Sequence, residues 1–462
     1  MARVPGPPYP APVQTALYLA RPEAFLRECH EKYGDVFTIQ TVVFGPEVCV
    51  VRPDAIKTIF TGDADKLRAG EANIALEPVV GTRSVLLLDG AEHLRQRRLM
   101  MPPFHGERML AYARTMRDVT GRIVDDWAVG EKITLHAHMQ RLTLEIILRT
   151  IFGADEGAEL THLRDAIAGF LDHMASAVTM IGTLPPLRRD AWGMSPWAAF
   201  KRVRAKVDAE IFEVIARRRA ERAAGAPARD DVLSMLLDAR DEDGAKMTDE
   251  ELRDELMTLL SAGHETTATE LCWAFDKILR APDVLRRIEE EIAAATNGSD
   301  APSFDALPYL DATIKEVLRL APVVPAVGRR VKEATRIDGF DVPAGVMLVP
   351  AIWLTHRLPD LYPEPLAFRP QRFLGKKPDP YEWLPFGGGL RRCLGMAFAL
   401  YEMKVVLATV LARVRLRPVE STPPKVALRG FTHAPRGGVP VVVEARRRAR
   451  ADAPERAHAS AP

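Results

Sequence analysis

Apolar positions recur at helical spacing along most of the chain, and the places where that rhythm fails mark its organisation. Residues 16–33 predict a helix, 36–51 alternate as two strands about Gly45-Pro46, and 54–60 turn helical again. Residues 71–88 are apolar but irregular, broken by Pro78 and Gly81, a long connection of the kind that often carries function. Residues 121–223 are mainly helical, interrupted near Thr183-Leu184-Pro185-Pro186 and Trp192-Gly193-Met194. After a break at Ala224-Gly225-Ala226-Pro227, Thr248 and Glu251 spell a capping box for a long helix that Ala281-Pro282 stops. Leu252, Leu256, Leu259 and Leu260 give that helix an apolar stripe able to bury it through the centre. Residues 337–350, about Pro343-Ala344-Gly345, and 426–443, with a tip at Gly430-Phe431-Thr432, read as hairpins. The pattern is mainly α with a smaller β region.

Composition narrows the class. The 462 residues contain no linker that would split them, so one large domain with a small sheet region is expected. A formal net charge of +1 excludes a nucleic-acid binder that works by an excess of Lys and Arg. Cys29, Cys49, Cys272 and Cys393 are widely separated, which fits a reducing cytoplasm and leaves no zinc or iron-sulfur framework. Residues 1–15 are rich in Pro and lack the apolar core of a signal peptide or spanning helix, so a cytoplasmic monomer without a membrane anchor is expected. Residues 445–462, rich in Arg, Ala and Pro, predict a disordered tail.

The chemistry gathers at Pro385-Phe386-Gly387-Gly388-Gly389-Leu390-Arg391-Arg392-Cys393-Leu394-Gly395. Three glycines let backbone approach a flat ligand closely, and an apolar helix follows through Met396, Phe398, Leu400, Met403, Val406 and Leu407. The amino end of that helix predicts a lowered thiol pKa at Cys393, suiting it as a metal ligand. Arg391 offers a charge-assisted fork to a carboxylate. Taken alone, Cys393 also reads as one more buried cysteine beside a turn.

A second polar patch, Ala262-Gly263-His264-Glu265-Thr266-Thr267, interrupts the long helix. Read locally, Thr266 bonds back to the Ala262 carbonyl and Glu265 reaches solvent, giving only a bend. His93 and Arg97, four residues apart, share one helix face, and Glu316 can pair with Arg319, with Arg372 as a second fork.

Phe386, Gly389, Arg391, Cys393 and Gly395 together spell F-x-x-G-x-R-x-C-x-G, which resembles the haem-binding signature of the cytochrome P-450 family. Five fixed positions coincide by chance in roughly one window per few million. The other patches resemble family motifs in the family's order, so the resemblance covers nearly the whole chain. It implies the cytochrome P-450 fold, a single haem domain over residues 16–444, and haem b held by Cys393 as thiolate ligand. It further implies propionate contacts from His93, Arg97 and Arg329, with Arg330 as the possible slip, and a Glu316-Arg319-Arg372 cluster that locks the ligand loop. By the same resemblance Ala262 and Gly263 open a groove for dioxygen, Thr266 holds the oxygen within hydrogen-bonding reach, and Glu265 relays protons.

The implied activity is monooxygenation of an apolar small molecule such as a fatty acid, terpenoid or steroid. With no flavin or iron-sulfur module in the sequence, electrons from NAD(P)H are expected through a separate ferredoxin or flavodoxin and its reductase. Arg95, Arg98 and Arg392 are candidates for docking that acidic partner. A peroxide-dependent peroxygenase and a non-catalytic haem-binding sensor are the alternatives; intact Glu265 and Thr266 weigh against the first.

Overall fold

Most of the helical rhythm resolves as expected, and the departures have local causes. The structure, a computed structural model, describes residues 4–104, 108–153, 158–175, 188, 190, 193–227, 229–296, 302–430 and 432–447. The expected break at residues 183–186, Trp192, the pocket-wall reading of Phe431 and the tail beyond residue 447 lie outside the described residues.

Residues 16–33 form two helices rather than one, α1 (Ala11–Ala20) and α2 (Pro22–Tyr33), because Pro22 can begin a helix but cannot donate within one. Strands β1 (Val36–Thr41) and β2 (Gly45–Val50) pair antiparallel, Val36 opposite Val50. Their turn is residues 42–44, and Gly45, at φ 76°, heads β2 opposite Thr41. Helix α3 (Pro53–Thr61) and strand β3 (Leu67–Arg68) follow. The irregular stretch contains single helical turns at Ala69–Ala72 and Glu77–Val80 and leads into α4 (Gly90–Met100).

The middle is helical: α5 (Arg108–Asp125), α6 (Leu135–Phe152), α7 (Ala158–Ala175), α8 (Pro196–Ala223) and α9 (Val232–Asp238), with β4 (Lys132–Thr134) before α6. Helix α10 (Asp249–Leu279) begins on the predicted capping box, Glu251 N–H donating to Thr248 Oγ1 at 3.1 Å and Thr248 N–H to Glu251 Oε2 at 2.8 Å. Leu252, Leu256 and Leu260 are buried in the main core, each stabilising the fold by about 1.5–3 kcal/mol, so α10 runs through the molecule. Helices α11 (Pro282–Thr296) and α12 (Pro308–Leu320) follow, and α13 (Met396–Arg413) packs against α5, α10 and α12.

Both later hairpins differ from expectation. Strands β5 (Arg329–Val331), β6 (Thr335–Ile337), β7 (Phe340–Val342) and β8 (Met347–Pro350) make the hairpin at β6–β7, about Asp338-Gly339. Both of these residues have positive φ, 47° and 83°, the requirement of a tight two-residue turn. Strand β8 instead enters a five-stranded sheet of order β1-β2-β8-β5-β3, parallel to β2. Near the end, β9 (Val414–Pro418) precedes a short hairpin of β10 (Val426–Arg429) and β11 (Thr432–Pro435), and β12 (Pro440–Arg446) leaves to pair with β9 and β4. A large core surrounds α10, and two smaller clusters line the sheet.

Candidate haem-thiolate site

Cys393 lies at the end of a closed loop between the sheet-side core and α13. Its N–H donates to the Phe386 carbonyl at 3.0 Å, Gly387 N–H donates to Leu384 O at 2.9 Å, and Phe386 packs edge-on against Trp383 at 5.9 Å. Helix α13 starts at Met396, with Gly395 as its N-cap, three residues later than Cys393. Among the four cysteines Cys393 alone is accessible; Cys29, Cys49 and Cys272 are buried. The expected lowering of its thiol pKa does not emerge from this chain by itself. Burial of the sulfur's surroundings pushes the thiol up, against a smaller pull downward from the Gly395 N–H, Arg97 and Arg392.

Two of the three consecutive glycines, Gly388 and Gly389, are required by contacts within the protein. A Cβ at Gly388 would sit 2.4 Å from the Phe60 ring, and one at Gly389, where φ is +63°, would sit 2.1 Å from the Phe60 carbonyl oxygen. At Gly395 a Cβ would meet nothing within 4 Å. The loop is therefore pressed against α3, and that contact fixes where Cys393 comes to rest.

Three guanidiniums and a neutral imidazole gather near the thiol. His93 on α4 is buried, and its pKa falls to about 3 through burial, Arg391, Arg97 and Arg329. Arg97, one turn on, makes no side-chain hydrogen bond or ion pair among the described residues, and burial lowers its pKa. Arg329 on β5 is buried, spends one Nη on the Gly328 carbonyl at 2.8 Å and lies over the Phe60 ring at 5.3 Å. Burial and Arg391 bring its pKa down to about 10. Arg330 instead turns outward to the Gly345 carbonyl at 2.8 Å.

Arg391 is committed to the loop ahead of α4: it donates to Val85 O at 3.0 Å, to Asp89 Oδ1 at 2.6 Å and to Leu88 O. Sequence reasoning missed Asp89. Its carboxylate also accepts from Gly70 N–H at 2.9 Å and Glu71 N–H at 3.2 Å, and its place just before α4 was the available signal.

Three guanidiniums thus face one another with a single carboxylate, Asp89, among them, an arrangement that favours a doubly anionic guest. A thiol beside such a cluster suits a planar metal complex that carries two carboxylates, and haem b has both features. The residues fit that group.

Helix α10 supplies the other wall. Leu259, Ala262 and Thr266 lie on one face at helical spacing and stay accessible in a helix whose neighbouring turns are buried. Thr266 Oγ1 donates to the Ala262 carbonyl at 2.5 Å, the local bond expected from sequence. Gly263 lets α10 approach α6, since a Cβ there would lie 3.3 Å from Ile147 Cδ1. His264 is buried against Thr143 at 2.9 Å, as a structural histidine should be.

Glu265 does not reach freely into solvent. Gln140 Nε2 donates to it at 2.8 Å, Arg429 Nε lies 3.0 Å away and His136 Nε2 3.5 Å away. Burial alone would raise its pKa, but His136, Arg429 and Gln140 outweigh that and hold it below the usual carboxylate range. These partners come from distant segments, and no local motif announced them.

The irregular connection at residues 71–88 is tied to α10. Arg83 N–H donates to Asp254 Oδ2 at 2.8 Å, Val85 N–H to Glu255 Oε1 at 2.8 Å, and Ser84 Oγ meets Thr258 Oγ1 at 2.7 Å. Arg95 pairs with Asp241 at 2.6 Å and Glu251 at 2.8 Å, and Arg98 pairs with Glu242, so two of the three candidate docking charges are already matched within the chain.

A family model described as Cytochrome P450 matches residues 5–439. Cytochrome P450 135B1 of Mycobacterium tuberculosis is 40% identical over 447 residues, which cover 97% of this chain and 92% of the relative. Cytochrome P450 135A1 of the same organism is 38% identical over 441 residues, covering 94% and 93%. Among solved structures, the retinoic-acid-bound cyanobacterial CYP120A1 superposes with a TM-score of 0.81 at 24% identity, covering 96% of this chain and 99% of that one. The haem domain of cytochrome P450DA superposes at 0.82 with 23% identity, covering 97% and 98%; both likenesses establish the fold. The chain belongs to the cytochrome P450 family, an oxidoreductase family of haem monooxygenases. Among the described residues no helix is long and apolar enough to cross a membrane.

Proposed function

We propose that this chain is a haem-thiolate monooxygenase that inserts one atom of dioxygen into an apolar small molecule, with electrons from NAD(P)H delivered by a separate ferredoxin or flavodoxin and its reductase. The observation that carries the reading is the placing of one accessible cysteine beside His93, Arg97, Arg329 and Arg391. Haem b, when bound, supplies the redox chemistry that activates dioxygen.

Cys393 is the iron ligand. His93, Arg97 and Arg329 hold the propionates, while Arg391, its Nη atoms already engaged, contributes charge and locks the loop to Asp89. Phe386, Gly389 and Gly395 shape that loop. Thr266 presents a hydroxyl on the accessible face of α10, and the Ala262 carbonyl sets its direction. Glu265, held ionised at neutral pH, takes up protons from outside and passes them inward. Leu259 and Ala262 give the wall an apolar character that suits a hydrocarbon-rich substrate.

The test is turnover of a panel of fatty acids, terpenoids and steroids by purified holoprotein. Product with ferredoxin, its reductase and NAD(P)H, and little with hydrogen peroxide alone, is the expected result. Product from peroxide alone at the same rate contradicts the reading in favour of a peroxygenase, and no product under either regime, despite ligand-induced spectral shifts, favours a binding protein.

A further inference from the structure

Phe60 stands where the ligand loop and the cation cluster meet. It lies in the last turn of α3 and is buried with Ile56 and Ile59 in a core cluster shared with Val331 of β5 and Leu384 at the entry to the Cys393 loop. Neither β5 nor the loop is near α3 in sequence, so one side chain joins three separate segments.

On the loop side the fit has no slack. A Cβ at Gly388 would lie 2.4 Å from Phe60 Cδ2 and 2.9 Å from Cε2, and one at Gly389 would lie 2.1 Å from the Phe60 carbonyl oxygen. Bare backbone therefore rests on an edge of the ring and on its carbonyl, a few residues ahead of Cys393.

On another side the ring meets a charge. The Arg329 guanidinium carbon lies 5.3 Å from the Phe60 centroid, inside the roughly 6 Å over which an aromatic face attracts a cation, an attraction that strengthens where water is excluded. Arg329 is buried, and its one side-chain hydrogen bond among the described residues goes to the Gly328 carbonyl at 2.8 Å. Arg391 repels it, Asp89 attracts it, and with its pKa at about 10 it stays charged at neutral pH. The backbone that carries it is fixed: Arg329 pairs with Leu348 of β8, and a Cβ at Gly328 would lie 2.5 Å from Met347 Sδ. With the backbone held, the ring face sets the pose of the guanidinium.

We propose that Phe60 is a positioning residue for haem: its ring edge and carbonyl set the depth of the Cys393 loop, while its face holds the Arg329 guanidinium and offsets part of its charge. The axial sulfur and one propionate cation are then fixed by the same side chain, and the electron density of that ring adjusts the reduction potential. The proposal rests on the reading of Cys393 as iron ligand and Arg329 as propionate contact. Positive charge near the iron favours the ferrous form, which carries one positive charge fewer, so draining the ring face leaves more of the Arg329 charge uncompensated and raises the potential.

The test uses haem-loaded protein with 4-fluorophenylalanine at position 60, which keeps the ring and weakens its negative face, and with Phe60→Leu, which has no π face and a different edge. The readouts are the reduction potential and the rate at which the reduced carbon monoxide complex loses its thiolate band. The fluorinated ring should shift the potential upward with the band as durable as in wild type, and in an Arg329→Gln background the same ring should leave the potential where Arg329→Gln alone puts it. Phe60→Leu should lose the band faster. No upward shift, or an equal shift in the Arg329→Gln background, overturns the proposal, as does a wild-type rate of band loss in Phe60→Leu. The layers separate cleanly: haem-replete wild type without the thiolate band fails the Cys393 reading itself, and a present band with no fluorine effect fails the Phe60 inference alone.

Discussion

Glu316 and Arg319 form a buried two-point ion pair on α12, with Nε 2.7 Å from Oε2 and Nη2 2.8 Å from Oε1. Arg319 also donates to the carbonyls of His356 and Pro365 at 2.8 Å each, and Glu316 accepts the Arg369 N–H at 2.9 Å. Arg372 is less engaged than a second fork would be: Nε approaches Glu316 at 3.4 Å without a made hydrogen bond, and Nη2 goes to the Glu364 carbonyl at 2.8 Å. The pair ties α12 to the segment that runs on toward the Cys393 loop.

Breaking one half of this pair strands the other. Glu316→Gln should cost about 3–5 kcal/mol, because it leaves the Arg319 charge buried without its counter-ion. Arg319→Lys should also destabilise, since an ammonium cannot reproduce the planar fork. Urea unfolding midpoints with haem retention check both; a wild-type midpoint in Glu316→Gln contradicts the assigned role.

The glycine loop separates two kinds of constraint. Gly389→Ala should lose about 1–2 kcal/mol to its left-handed backbone alone, with the Phe60 carbonyl clash in addition. Gly388→Ala meets a side chain instead, so Phe60→Ala should recover part of its loss and none of the loss at Gly389. Stability and haem content measured across the two double-mutant cycles decide the matter.

His356 links α12 to the ligand loop as a neutral ring. Its Nε2 accepts the Leu384 N–H at 2.8 Å, which leaves Nδ1 to donate to the Arg319 carbonyl at 3.1 Å. Burial, then Arg319 and Arg357, hold its pKa well below the ordinary value. The unfolded ring takes a proton near pH 6.5 and the folded one does not, so the contribution is present above that pH and falls away as pH drops below it. Glu255, Glu270 and Glu402 are buried with raised pKa values and act in the opposite direction. The wild-type-minus-variant difference is therefore the quantity to follow. Unfolding free energies of wild type and His356→Gln should converge by about 1.4 kcal/mol per pH unit below pH 6.5; parallel curves contradict a neutral His356.

Much of this was legible in sequence because the deciding residues lie close together in the chain. The α10 capping box, the Thr266 to Ala262 bond and the Glu316-Arg319 pair each span three or four residues, a distance that helical geometry fixes. The hairpin at Asp338-Gly339 was legible as well, but the Pro343-Ala344-Gly345 turn drew the boundary away from it. Asp89 with Arg391, and Glu265 with His136 and Arg429, were not legible, since chain folding alone brings those segments together. The surroundings of the Cys393 thiol were not legible either: in the chain by itself the cost of desolvating the sulfur works against the pull of the nearby N–H and arginines.

Thr266→Ala removes the hydroxyl but leaves the Ala262 carbonyl with its helical partner, so the fold should hold. Electrons should be diverted to hydrogen peroxide while haem content stays unchanged, and Thr266→Ser should keep most of the coupling. Peroxide released per NAD(P)H consumed is the measurement, and unchanged coupling in Thr266→Ala removes Thr266 from proton delivery.

The most direct test of the account is the carbon monoxide difference spectrum of the reduced, haem-loaded protein, compared with that of Cys393→His. Wild type should give the band characteristic of thiolate-ligated haem, and Cys393→His should lose it while still taking up haem. Persistence of that band in Cys393→His, or its absence from haem-replete wild type, contradicts the assignment of Cys393 as the iron ligand.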